Sequence, residues 1–300
     1  MYDQYQRSLT NHITFNHIPK ILLITLLFSL GGCASTTELK ALAQTHPTNP
    51  IKVIVFQTPM AIDHERLKAV FGKELSEDTP LPDTVIQEQE NRAQTRALTA
   101  MNNAFANQRS FAIVPTPTND SSVNIDENQD FDAPIAQDVA DHIALTTGSD
   151  AIFKYRITDY GLTPVAWRKA YVTFEVTSTL AIAGSIALIG TKVARTAGAV
   201  YLAEEGTEEL AEGYAGFWAF NEVCRPVRIE GELIRLKPVK TIWKISDTGT
   251  SDIRLSRIIR KIDSNELDDQ LKQSTDHAAS TVVKRLTEPL ASTNQPLIQR

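Results

Sequence analysis

The chain has 300 residues, 30 basic and 36 acidic, for a formal net charge of −6. That length suits one large domain or a domain carrying an insertion. An acidic chain without basic runs argues against nucleic acid as a partner.

The chain opens with a polar stretch that includes Arg7 and Lys20, followed by the ten-residue apolar run Ile21 to Leu30. Such a run is too short for a permanent membrane span, which takes roughly 20 residues, but it suits the core of an export signal. Leu30-Gly31-Gly32-Cys33 follows, and it resembles the lipobox of bacterial lipoprotein precursors. Small residues let the backbone enter a peptidase groove, and only a thiol can take a diacylglyceryl thioether. The resemblance implies a signal peptide over 1–32, cleavage between Gly32 and Cys33, and fatty-acyl lipid on Cys33. Several acyl chains on one residue make a stable anchor, whereas a single chain binds only marginally. With Ala34 and Ser35 after the cysteine and no aspartate, it also implies sorting to the periplasmic side of the outer membrane. Ser35 to Pro50, polar with two prolines, reads as a flexible lipidated tether at 33–50.

Arg7, Lys20 and Asp3 lie in the signal, so the remaining 268 residues keep 28 basic and 35 acidic side chains. With Cys33 acylated, Cys224 has no intramolecular partner and reads as a small buried apolar residue.

A periplasmic domain is expected over 51–290. Its first strand signal is Ile51 to Phe56, followed by a polar stretch with Pro80 and Pro82. Helical spacing runs from Val85 to about Asn107, then a short apolar strand from Phe111 to Val114 and a polar loop from Thr116 to Asp132. A helix fits Ile135 to Thr146, with Gly148 as its stop, and Ala151 to Thr158 is a third strand. This alternation predicts an α/β fold, a mixed sheet with packed helices. Lys169 to Thr177 and Val227 to Leu233 alternate strictly, as antiparallel strands with one wet face do. Thr241 to Ser246 is a final strand. An amphipathic helix from Glu266 to Leu286, ended by Pro289, closes the domain before a flexible tail at 291–300.

Arg109-Ser-Phe-Ala-Ile-Val-Pro115, Thr147-Gly-Ser-Asp-Ala-Ile-Phe153, Ile157-Thr-Asp-Tyr-Gly161 and Leu233 to Ser246 together carry a family likeness. Their order resembles the curli-secretion (CsgG-type) lipoproteins, and is similar to the TolB amino-terminal domain and the LpoB-type synthase activators. The likeness implies a fold more than an activity, in periplasmic proteins that bind or assemble partners and are not hydrolytic enzymes.

The family pattern does not supply residues 178–220. Ser178 to Arg195 places Ile182, Ile186 and Ile189 on one helical stripe, while in Tyr201 to Phe217 the glutamates, Glu204 and Glu208 among them, fall within an arc of about 140 degrees. The picture is an inserted helical hairpin with a greasy first arm and an acidic outer face, and with Phe217 and Trp218 as an aromatic contact. Three readings stay open: a hairpin packed on its own sheet, self-association through small residues, or a shallow dip into the membrane.

No catalytic constellation is found: neither Gly-x-Ser-x-Gly nor His-Glu-x-x-His, no phosphate-binding glycine loop, and no paired-cysteine metal spacing. Asp63-His64-Glu65 reads as a surface loop, His142 as a core or rim histidine, and His277 as part of a wet helix face. The expectation is a non-enzymatic, lipid-anchored assembly or binding protein without a cofactor. Its partners would be membrane lipid through Cys33 and envelope proteins or further copies of itself. One alternative is a subunit of a CsgG-like secretion pore, for which the strands at 169–177 and 226–233 would line a barrel, and a second is an envelope enzyme.

Overall fold

The structure is a computed structural model that describes residues 36–46, 48–62, 64–75, 83–115, 130–171, 173, 217, 221, 223–252 and 264–291. The chain divides between Cys33 and Ala34, and the second unit, Ala34–Arg300, holds all of them.

Five strands form one mixed sheet: β1 (Ile51–Gln57), β2 (Phe111–Ile113), β3 (Ala151–Tyr160), β4 (Val227–Arg235) and β5 (Lys240–Gly249). Their spatial order is β2-β1-β3-β4-β5. β1 pairs in parallel with β2 and β3, and β3, β4 and β5 continue antiparallel. The α/β expectation therefore holds, and the β-branched runs supply the strands.

Helices α1 (Thr36–Gln44), α2 (His64–Leu75), α3 (Asp83–Ala106), α4 (Gln137–Thr147) and α5 (Ser264–Ala291) pack on this sheet. The crossover from β1 to β2 carries α2 and α3, while the return from β2 past β1 to β3 carries α4. Crossovers of one hand that step in opposite directions must lie on opposite faces, and they do. Leu67 and Val70 of α2 and Ala97, Met101 and Phe105 of α3 join Val53, Phe153 and Ile229 in the larger core, with α1 and α5 alongside. α4 packs on the other face, where Ile143 and Ala144 meet Ile54, Ile152 and Ile234. Gly148 ends α4 as expected: at φ 66° it takes the left-handed conformation that glycine enters at little cost, and its N–H donates to Ala144 O.

Several expectations need correction. Residues 36–44 form a helix, where the composition predicts a flexible tether. Leu39 and Leu42 are buried in the larger core, so the domain begins at α1 and not at residue 51. The stretch before Pro80 holds α2, whose Leu67, Val70 and Phe71 are buried at helical spacing. Residues 165–171 and 173 are helical, so the strand expected from Lys169 is not what those residues form. Pro164 stands before the first helical turn and its carbonyl accepts from the Trp167 and Arg168 amides. α5 continues through Pro289 to Ala291. Cys224 is buried, 4% exposed, as expected of a small apolar residue.

Candidate functional site

The two ends of the sheet differ in construction, and the residues able to carry function collect there. At the end formed by the starts of β1, β3 and β5, α1 lies across the strand ends. Near its start Glu38 accepts a hydrogen bond from Lys240 Nζ of β5 at 2.8 Å, with Arg235 of β4 at 4.0 Å. Just past its last turn, His46 Nε2 stands 3.1 Å from Asp150 Oδ1, beside β3. Asp150 also accepts from the Lys52 amide at 2.8 Å, which ties β1 to the same carboxylate. The hydrogen bond from Lys240, then its positive charge, holds the Glu38 carboxyl below the usual glutamate range. Between α1 and the strands lies a cleft of about 170 Å³ lined by Leu42, His46, Asp150, Arg235 and Lys237. That is well below the roughly 300–1,000 Å³ of a small-molecule site. The arrangement fastens α1 to the sheet.

At the opposite end, β3 and β4 hand the chain to and from the long insertion. A bulge between Ile157 and Asp159 leaves one extra residue on β3 and brings the Asp159 carboxylate to α2. Arg66 Nη1 donates to Asp159 Oδ1 at 2.6 Å, and the Val165 amide donates to the same oxygen at 3.2 Å. Arg66 Nη2 reaches Thr163 O, while the Thr163 amide and hydroxyl both donate to Asn221 Oδ1. The outgoing strand of chain at 163 is thus bonded to the returning one at 221. Tyr171 and Phe217 meet edge to face at 5.4 Å between ring centroids, one from each arm. Gly161, at φ 73°, makes the turn: an added Cβ would lie 2.8 Å from Val70 Cγ1. Arg96 of α3 donates to the Tyr160 hydroxyl at 3.2 Å and pairs with Asp268 of α5. Burial works against the Arg96 charge, and these two partners outweigh it and hold its pKa above the usual arginine value.

A third charged group lies on the face that α4 leaves open. Lys154 and Arg156 of β3 stand directly opposite Glu232 and Glu230 of β4. Lys154, 1% exposed, donates to Ala133 O at 2.9 Å and pairs with Glu232 at 2.8 Å. Arg156 pairs with Glu230 and with Asp132, and Phe131 sits over both cations. Glu232 also faces Lys244 of β5 at 3.4 Å. Every one of these charges is paired, so the ladder pins segment 130–136 to the sheet. Among the described residues no three His, Cys, Asp or Glu side chains converge as a metal site, and no helix is long and apolar enough to cross a membrane.

Of the side chains expected to carry function, Phe217 is described, half-buried at the base of the insertion. Gly32, Cys33, Ile182, Ile186, Ile189, Glu204, Glu208 and Trp218 lie outside the described residues, as does nearly all of the hairpin expected at 178–220. His142 is half-buried on α4, and His277 is exposed and lies near the Thr250 backbone. Sequence reasoning missed the Asp159–Arg66 clamp and the Lys154–Glu232 pair. A sign of the second was present: charged residues at 154 and 156 share one strand face, as do 228, 230 and 232.

No family model matches the chain, and no curated protein does. Among solved structures it is similar to the hypothetical protein CT253 from Chlamydia trachomatis, at 7% identity and a TM-score of 0.33 over 82% of this chain and 96% of that one. A likeness that slight carries no argument about fold or function.

Proposed function

We propose that this is a lipid-anchored protein of the bacterial outer membrane, a binding or assembly module of the envelope held through Cys33. The observation that supports it most is the docking of α1. The helix begins three residues after Cys33, and Leu39 and Leu42 bury it in the domain core. A lipid on Cys33 would therefore hold the domain itself, with almost no slack, at the bilayer surface. The insertion leaves from the far end of the sheet, about 30 Å away along β4 at roughly 3.4 Å per residue. Its stem faces away from the anchoring bilayer toward a partner in the periplasm, which favours a protein contact over a dip into the same membrane. The likeness to the curli-secretion, TolB and LpoB families rests on a strand, helix, strand, helix and strand in succession, to which the chain adds α2 between β1 and α3.

Two measurements test the reading. Mass spectrometry of the chain from cells should find acyl groups on Cys33, and Cys33→Ser should move the protein out of the membrane fraction. A photocrosslinker in place of Phe217 should trap an envelope protein or a second copy of the chain. Absence of acylation, or crosslinks to phospholipid alone, would overturn the reading.

A further inference from the structure

The end of the sheet that carries α1 also gathers exposed cations. Lys52 opens β1, Arg109 precedes β2, and Lys237 sits in the turn between β4 and β5; all three are exposed. Backbone hydrogen bonds fix them along one edge. The Ile51 amide donates to Ser110 O, the Asp150 amide to Lys52 O, and the Leu236 amide to Asp150 O. Lys240, 53% exposed, continues the row on β5. Among the described residues, the carboxylates on this edge are already engaged: Glu38 with Lys240 and Arg235, and Asp150 with His46 and the Lys52 amide. Lys52, Arg109 and Lys237 have no ion pair among the described residues. A chain with more acid than base thus presents a basic rim at one place, and α1 starts there. Three residues of chain span at most about 11 Å, which is the longest leash a lipid on Cys33 would have from the start of α1.

We infer that this rim is a docking surface for an anionic phospholipid bilayer, and that it sets the orientation of the anchored domain. The inference deepens the anchoring reading and rests on it for the position of the lipid. The physical basis is the negative surface potential of anionic lipid, which attracts basic side chains within a Debye length and is screened by salt. Each cation near the surface raises membrane partitioning roughly five-fold. Acyl chains hold the protein to the membrane but leave it free to roll; a basic rim beside them is a second, directional signal.

The test uses Ala34–Arg300 without lipid, since that unit holds both core clusters and so carries the whole described fold. Its sedimentation is measured with vesicles of phosphatidylethanolamine and phosphatidylglycerol, and with neutral phosphatidylcholine vesicles, at low and high salt. Binding is expected to the anionic vesicles only, to fall with salt, and to drop at least about a hundred-fold in the triple variant Lys52→Glu, Arg109→Glu, Lys237→Glu. All three sites are exposed, and a thermal melt confirms that the variant folds; Lys272→Glu, exposed on α5, serves as the control that should bind as the parent does. Equal binding to both vesicles, or an unchanged triple variant, overturns the inference. The two proposals fail separately. A Cys33 without acyl groups sinks the anchor while charge-dependent binding stands, and an acylated Cys33 with charge-blind binding does the reverse.

Discussion

The two ends of the sheet are fastened by different physics. At the α1 end, apolar side chains supply the energy: Leu39 and Leu42 are buried, and the polar partners Glu38–Lys240 and His46–Asp150 sit at the wet rim. At the insertion end, buried polar groups do the fastening, with Asp159 bonded at once to α2 and to the backbone of residue 165. Apolar burial is strong and non-directional. Hydrogen bonds to a buried carboxylate are directional, and they fix the angle at which the chain leaves. One end is therefore built to hold and the other to aim.

The largest effect separating the ends is expected from Asp159→Ala. It strips Arg66 of its carboxylate in a mostly buried setting and should cost about 3–5 kcal/mol, read from the urea midpoint. A loss below about 1 kcal/mol would mean that the clamp contributes little and the contrast with the α1 end is false. Next comes Leu39→Ala, expected to cost about 3 kcal/mol through the cavity it leaves. Trypsin should then cut after Lys40 much faster than in the parent; an unchanged cleavage rate would show that burial is not what holds α1. Tyr171→Ala removes the edge-to-face contact with Phe217 and should cost about 1 kcal/mol, seen as faster exchange of amides near 217 and 221 and not near α1.

The smallest effect is a pH dependence confined to the α1 end. The Glu38 carboxyl is held below its ordinary value in the folded chain, so its contribution is complete above the glutamate value of about 4.3. It is lost as pH falls from that glutamate value through the lowered folded value, and this is the window. Cleavage after Lys40, measured with an acid-tolerant protease of matching specificity, should rise across that window, and Glu38→Gln should flatten the rise.

Most of the scaffold was legible in the residues. β1, β3 and β4 are rich in β-branched residues, α3 and α5 keep helical spacing over several turns, and Gly148 punctuates α4. The failures have physical causes. α1 offers only Leu39 and Leu42 as large apolar side chains within a polar, proline-flanked stretch, so its composition reads as loop although their i, i+3 spacing is that of a helix face. α2 is short and mixed, and the prolines after it drew attention away from Leu67, Val70 and Phe71. In 169–173 apolar and polar residues happen to alternate, and period two outweighed the helix-start signal of Pro164. The Asp159 clamp was not legible, because it depends on a one-residue bulge and on α2 arriving 93 positions earlier in the chain. The Lys154–Glu232 pair needed a cross-strand register that alternation leaves undetermined.

A lipid on Cys33, as proposed, would make the short link to α1 set a height as well. A domain on a long leash samples a wide shell of distances from its membrane, whereas this one, anchored at Cys33, would stand like a post whose reach is its own length. Each residue added between Ser35 and Thr36 would lengthen the leash by up to about 3.5 Å without touching the fold. A graded series of Gly-Ser spacers at that junction would thus report how far from the bilayer the far end of the sheet has to work.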